Sequence, residues 1–351
     1  MQYRRLYFMT IKMLIMFFFL VSMAAVQATE IHGAGATFPA LVYQKWAEYY
    51  SVSKGIKVEY QAVGSGEGIK RIKAREVDFG GTDMPLPQEE LDKNKLLQFP
   101  MIMGAITPVI NVPGVHIGQL HLDGGTLAAI FMGKIHKWND PKIKVLNPEL
   151  IERLPDLWIT VVHREDKSGT TFNFTNYLSK VSIDWKKQLG EGLAVEWPAG
   201  IAAKGNAGVS LKVKEIVGSI GYVEYSYAME QHLDYVLLKN HEGNFVHPNA
   251  GSTQAAAAGV KWDAGVGFYQ ILTDAPGEIS WPIAAATFIL VRKDDDIESI
   301  RRVLKYLDYN YRTGELSATN YDFVMMPMPL VEQIRTSWRT VKDNAGKPAW
   351  N

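Results

Sequence analysis

The sequence contains no cysteine. That absence excludes a disulfide scaffold, a thiolate metal centre and a lipid anchor carried on an N-terminal cysteine. Neither sign of charge is in excess, with 37 Lys and Arg against 37 Asp and Glu. A nucleic-acid binder normally carries a basic surplus, so no nucleic-acid partner is expected. The eight histidines never form an H-x-x-x-H pair, and with no cysteine beside them no metal site is expected. There is no repeat of fixed period, which argues against solenoids and propellers. There is no G-x-x-x-x-G-K-[ST] loop and no S-D-N tripeptide. Gly33-x-Gly35 lacks the third glycine of a dinucleotide fingerprint. Beyond the N-terminus no apolar run is long enough to span a bilayer, which takes roughly 20 residues.

What is present is an ordinary globular composition, 47% hydrophobic and 21% charged over 351 residues. That length exceeds the roughly 250–300 residues at which one core stops growing, so two lobes are expected. The first segment reads as a leader. Arg4, Arg5 and Lys12 precede an apolar run from Met13 to Val26, and Val26-Gln27-Ala28 fits a small-x-small cleavage site. Cleavage after Ala28 leaves residues 29–351. It removes three of the 37 basic residues and no acidic ones, so the mature chain carries a net charge of −3. Such a chain is expected to be soluble and exported, not lipid-anchored.

Strand-like and helix-like segments alternate along the rest. Residues 56–60, 77–81, 157–163 and 219–224 read as strands; 68–75, 86–95, 170–179, 206–216, 296–312 and 329–342 read as helices. The pattern predicts α/β lobes with mixed or parallel sheets flanked by helices. Two apolar stretches, 99–112 and 283–292, read as crossings between lobes. They place lobe one at 29–106 plus 286–351 and lobe two at 107–285. Two crossings make a hinge, and the cleft they span is a common ligand site.

Three segments share one design, with glycine or hydroxyl residues just ahead of a helix: Gly33–Pro39, Gly64–Gly68 and Arg164–Thr170. A helix N-terminus exposes unpaired N–H groups and a partial positive charge. Glycine lets the backbone approach a ligand, and Ser or Thr adds an O–H donor. Arg164 adds a charged fork for a tetrahedral anion. Taken singly, Thr37, Ser65 and Ser168 read equally well as helix caps. Asp83 follows the glycines that end a buried strand. An ionised carboxylate only accepts, so beside an anion it favours one that still carries a proton, as phosphate does near neutral pH and sulfate does not. Asp83 also reads as a turn or cap residue.

These segments resemble the periplasmic phosphate-binding proteins of high-affinity phosphate ABC importers. The resemblance runs through GAGATFPA (33–40), AVGSGEGIK (62–70), VDFGGTDMPL (77–86), MGKIHKWND (132–140), VVHREDKSGTTF (161–172), VGSIGYVEYSYA (217–228) and WPIAAATFILV (281–291). It implies the two-lobed fold of class II periplasmic binding proteins, with two hinge crossings and phosphate held between the lobes. The ligand contacts it implies fall on Thr37, Phe38 through its backbone N–H, Ser65, Asp83, Arg164, Ser168, Gly169 and Thr170. Asp166 would pair with Arg164 and mute the charge of the site. The resemblance further implies a non-enzymatic protein without cofactor whose ligand is inorganic phosphate, delivered to membrane permease subunits. It implies a periplasmic location and a monomer. Another oxyanion as ligand, or a secreted phosphatase-like activity, is the alternative. Glu67, Lys167 and His163 depart from the family pattern: Glu67 should point to solvent, while Lys167 and His163 would raise the local positive potential.

Overall fold

The computed structural model describes residues 30–350, so the expected leader over 1–28 lies outside the described residues. Thirteen strands follow in chain order: β1 (Ile31–Gly35), β2 (Val58–Ala62), β3 (Phe79–Thr82), β4 (Leu96–Ile110), β5 (His121–Leu122), β6 (Thr160–Arg164), β7 (Ile201–Ala203), β8 (Ser219–Glu224), β9 (Asp234–Tyr235), β10 (Leu237–Lys239), β11 (Phe245–Val246), β12 (Ala284–Arg292) and β13 (Val324–Met325). Ten of them join in the order β2-β1-β3-β12-β4-β8-β6-β7, with β13 and β9 also paired to β4. β1 runs parallel to β2 and β3, and β6 parallel to β7 and β8. β12 is antiparallel to β3 and β4, and β4 to β8. Helices connect the parallel strands. The result is a two-lobed α/β fold with mixed sheets.

β4 is the element on which this arrangement turns. All 15 of its residues are buried, and its near-unbroken apolar sequence is what a strand covered on both faces requires. From Leu96 to Ala105 it pairs with β12, and from Ile106 to Ile110 with β8. The change of partner is pinned on both sides. The Ile106 N–H donates to Ile283 O at 2.9 Å, and the buried Trp281 indole N–H donates to Ile106 O at 2.9 Å. The two apolar stretches 99–112 and 283–292 thus run side by side up to this change of partner.

The helices are amphipathic or buried as their surroundings demand. Helix Ala40–Lys54 buries Val42, Tyr43, Trp46, Ala47 and Tyr50. It stops where Gly55 turns left-handed (φ 69°) and returns its N–H to Ser51 O at 2.9 Å. Helix Gly169–Val181 is buried from Gly169 through Ser179. Among the described residues no helix is long and apolar enough to cross a membrane. The expected elements are present with shifted ends. The strand read at 56–60 runs over 58–62, because Gly55 closes the preceding helix and Ile56-Lys57 finish the turn. The strand read at 77–81 runs over 79–82. Helix Ser65–Lys73 starts three residues earlier than read, since Gly64 (φ 98°) turns the chain directly into it.

That helix lies so close to the sheet that a Cβ on Gly68 would stand 2.5 Å from Gly35 Cα and 2.8 Å from Ala34 O. Backbone cannot yield as a flexible side chain can. Gly68→Ala should therefore destabilise the protein by about 1–3 kcal/mol in urea unfolding. A change within about 0.5 kcal/mol, typical of surface sites, would contradict this packing.

Candidate functional site

The three glycine- and hydroxyl-bearing segments converge. Each follows a strand of the large sheet: Ala36–Pro39 follows β1, Val63–Gly64 follows β2, and Glu165–Ser168 follows β6. Direct hydrogen bonds tie the parts of the chain before β4 to those from β6 onward around these segments. Gly66 N–H donates to Lys167 O at 3.0 Å, and Asn173 Nδ2 to Asp83 O at 2.7 Å. Asn206 Nδ2 donates to Thr37 Oγ1 at 2.9 Å, and Tyr227 O–H to Thr37 O at 2.9 Å. Glycine makes this approach possible. A Cβ on Gly169 would lie 2.5 Å from Ser65 Oγ and 2.6 Å from Asp83 Cβ.

All nine residues singled out in the sequence come together here. Thr37 is not a helix cap: helix Ala40–Lys54 is preceded by Pro39, and the Thr37 hydroxyl accepts from Asn206 instead. Ser65 is not a cap either; it is the first helical residue, and Gly64 takes the capping place. Its Oγ accepts the Asp83 N–H at 3.2 Å and lies 3.4 Å from Asp83 Oδ2. Ser168 is a cap, accepting the Thr171 N–H at 3.1 Å, and it sits at the site as well. Asp83 is no surface turn residue. It is 1% exposed, and its Oδ1 accepts from Thr287 Oγ1 at 2.8 Å. The backbone N–H groups of Phe38, Ser65, Gly169 and Thr170 find no acceptor among the described residues. These N–H groups lie at or just ahead of helix starts, where the backbone has no intrahelical acceptor and stays available to one from outside.

The charges are arranged around these donors. The Arg164 guanidinium is buried, with Nε to Asp166 Oδ1 at 2.8 Å and Nη2 to Asp166 Oδ2 at 2.5 Å. Asp166 also accepts the Gly205 N–H at 2.9 Å. Burial alone would raise the Asp166 carboxyl, but the bond to Arg164, its charge and the Gly205 N–H outweigh it and hold the pKa below the ordinary value. The remaining fork nitrogen of Arg164, Nη1, lies 3.4 Å from Thr170 Oγ1. Asp83 behaves oppositely. Burial pushes its carboxyl up to about 7, against the opposing hydrogen bonds from Thr287 and Ser65 and the charge of Arg164.

Glu67 stands as expected, away from these donors, bonded to Arg71 Nε at 3.0 Å and 3.4 Å from Lys70 Nζ on its own helix. His163 does not add positive potential. Its ring stacks on Trp197 at 5.0 Å, and desolvation lowers its pKa, so it is neutral at neutral pH. Lys167 is exposed and meets Gly66 through its backbone carbonyl. Sequence reasoning missed Asn173, Asn206, Tyr227 and Thr287. Only Asn206 carried a signal, since Gly205-Asn206 open a helix much as the other three segments lead into theirs. A cavity of about 420 Å³ opens beside Thr37, Asp166 and Asn206. Larger cavities of about 1070 and 640 Å³ touch none of the site residues.

Residues 22–311 match the PBP superfamily domain. Over 326 residues the chain is 48% identical to the phosphate-binding protein PstS of Pasteurella multocida, covering 92% of this chain and 94% of that protein. It is 48% identical to PstS of Haemophilus influenzae over 315 residues, 90% of this chain and 94% of that protein. The chain belongs to this family of phosphate-binding proteins. Solved structures share the fold at low identity. A periplasmic phosphate-binding protein (PfluDING) with bound phosphate superposes with a TM-score of 0.70 at 20% identity, covering 88% of this chain and 94% of that one. A phosphate-bound transporter protein from Clostridium perfringens gives a TM-score of 0.62 at 17% identity, covering 85% and 100%.

The raised pKa of Asp83 sets a pH dependence. The folded protein holds that proton more tightly than the unfolded chain, so the stability it contributes is present below the ordinary value near 4 and is lost as pH rises to about 7. Asp83→Asn should flatten the stability of the ligand-free protein across that window in denaturant titrations at several pH values. An unchanged slope would mean that Asp83 is not the buried proton-binding group.

Proposed function

We propose that this chain captures inorganic phosphate between its lobes and passes it to the membrane permease of an ABC importer. One observation carries the ligand: the unpaired backbone N–H groups of Phe38, Ser65, Gly169 and Thr170 and the buried, paired guanidinium of Arg164 lie in the segments gathered about a buried acceptor, Asp83. The donors suit the unprotonated oxygens of a tetrahedral oxyanion. The carboxylate needs a ligand with a proton to give. Phosphate meets both demands on the alkaline side of the Asp83 pKa of about 7, where the group is ionised, whereas sulfate there brings a lone pair against a lone pair. The names of the relatives agree. In this reading Thr37, Ser65, Ser168 and Thr170 donate through hydroxyls, Phe38 and Gly169 through the backbone, and Arg164 through the Nη1 hydrogen not given to Thr170. Asp166 holds Arg164 in place.

The lobes proposed are 29–106 plus 286–351 and 107–285, supported by the change of partner within β4. Opening pivots there. Glycine at 64, 66 and 169 then permits closure, since any Cβ would meet the opposite lobe. The reading involves no catalytic step and needs no cofactor. It places the mature chain in the periplasm as a monomer, exported by a leader cut after Ala28.

The test is titration of the mature protein, stripped of bound ligand, with phosphate and separately with sulfate, followed by Trp fluorescence on the alkaline side of the Asp83 pKa of about 7. Saturable phosphate binding with little or no sulfate binding is expected, and Asp83→Asn should narrow the difference. Equal binding of the two anions by the unaltered chain would overturn the role of Asp83. Binding of neither would leave the site without this function.

A further inference from the structure

Asn206 is fully buried at the start of helix Gly205–Glu215. Its neighbours fix the orientation of its amide. Oδ1 accepts the Glu224 backbone N–H at 3.1 Å, so Nδ2 faces the other way. There it donates to Thr37 Oγ1 at 2.9 Å and to Thr170 Oγ1 at 3.4 Å. The Asn206 backbone N–H gives Thr37 Oγ1 a second bond at 3.3 Å, and Arg164 Nη1 gives Thr170 Oγ1 a second at 3.4 Å. A hydroxyl has two lone pairs and one proton. Both lone pairs of each threonine are therefore occupied by N–H groups that cannot accept. Each hydroxyl has only its proton left to offer, and neither finds an acceptor for it among the described residues.

We propose that Asn206 is a positioning residue that sets the polarity of the site. It turns two ambivalent hydroxyls into obligate donors, so that only a ligand presenting acceptors to both is held. Thr37 and Asn206 come from opposite lobes, so the polarity of Thr37 exists only when the cleft is closed, whereas that of Thr170 is set within one lobe. In an open cleft Thr37 loses both donors and its hydroxyl is free to accept. The ligand class admitted by the closed form is an oxyanion, and ligands offering N–H or O–H groups at these two points are refused. The inference rests on the phosphate-capture reading above.

The test is a double-mutant cycle on the mature protein, with inorganic phosphate binding read by calorimetry and unfolding of the ligand-free chain as a control. Asn206→Ala and Thr37→Val should each weaken binding about ten- to a hundredfold, the loss of one hydrogen bond to a charged ligand or its buried partner. Because Asn206 acts through the Thr37 hydroxyl and also through Thr170, the double variant should bind more weakly than Thr37→Val alone but lose clearly less than the product of the two single losses. Multiplying losses would mean that Asn206 is merely structural and would overturn the proposal. N206D has the same size and supports the test if Asn206→Ala does not fold. Its carboxylate accepts from Thr37 and turns that proton away from the ligand, so its deficit relative to the unaltered protein should be larger at neutral pH and shrink on acidification. Phosphate binding by N206D equal to that of the unaltered chain at neutral pH would also overturn the proposal. Failure of the unaltered chain to bind phosphate would instead refute the functional reading, and this inference with it.

Discussion

The structure depends on a buried ion pair. Moving a guanidinium and a carboxylate out of water costs several kcal/mol per ion, and the pair is tolerable only when geometry and further hydrogen bonds are good. Arg164 and Asp166 meet both conditions, with two parallel bonds at 2.8 and 2.5 Å and a third to Asp166 from Gly205 N–H. The pair joins the end of β6 to the start of helix Gly205–Glu215. It fixes where Arg164 aims its remaining nitrogen, and it cancels most of that cation's charge. What remains for a ligand is a set of oriented, nearly neutral donors, complete once the lobes have closed.

Closure imposes the second constraint. The two lobes meet through backbone and short side chains, and three glycines stand at the points of closest approach. A Cβ would meet Asp166 Oδ2 at 2.4 Å from Gly64, Lys167 Cβ at 2.4 Å from Gly66, and Ser65 Oγ at 2.5 Å from Gly169. These glycines serve the cleft twice. They free N–H groups at helix starts, and they leave room for the facing lobe. Hydrogen bonds from Asn173 to Asp83 and from Asn206 and Tyr227 to Thr37 then tie the facing parts together at the site itself.

Much of this was legible in the sequence because it is local. Glycine before a helix, period-two strands and long apolar crossings are short-range patterns, and the strand at 219–224 ends where it was read. Element ends slipped where a turn residue decided them, as at Gly55 and Gly64. The site residues were legible through motifs that resemble a known family, not through physics alone. By itself Ser65 read as a cap and proved to be an Asp83 partner, whereas Ser168 read as a cap and is one. Asn173, Tyr227 and Thr287 were not legible, because each reaches the site from a different part of the chain and carries no local mark. The state of His163 was misread because stacking on Trp197 is a tertiary event.

The central claim is that oriented neutral donors, not net positive charge, hold the anion. The most direct test is the ionic-strength dependence of phosphate affinity at constant pH, from about 10 mM to about 500 mM of an inert salt. Across that range the screening length falls severalfold. The account predicts a change in affinity of less than about threefold, since the Arg164 charge is already paired and the donors are buried. A fall of tenfold or more would show that an unpaired positive field does the holding, and would contradict the account.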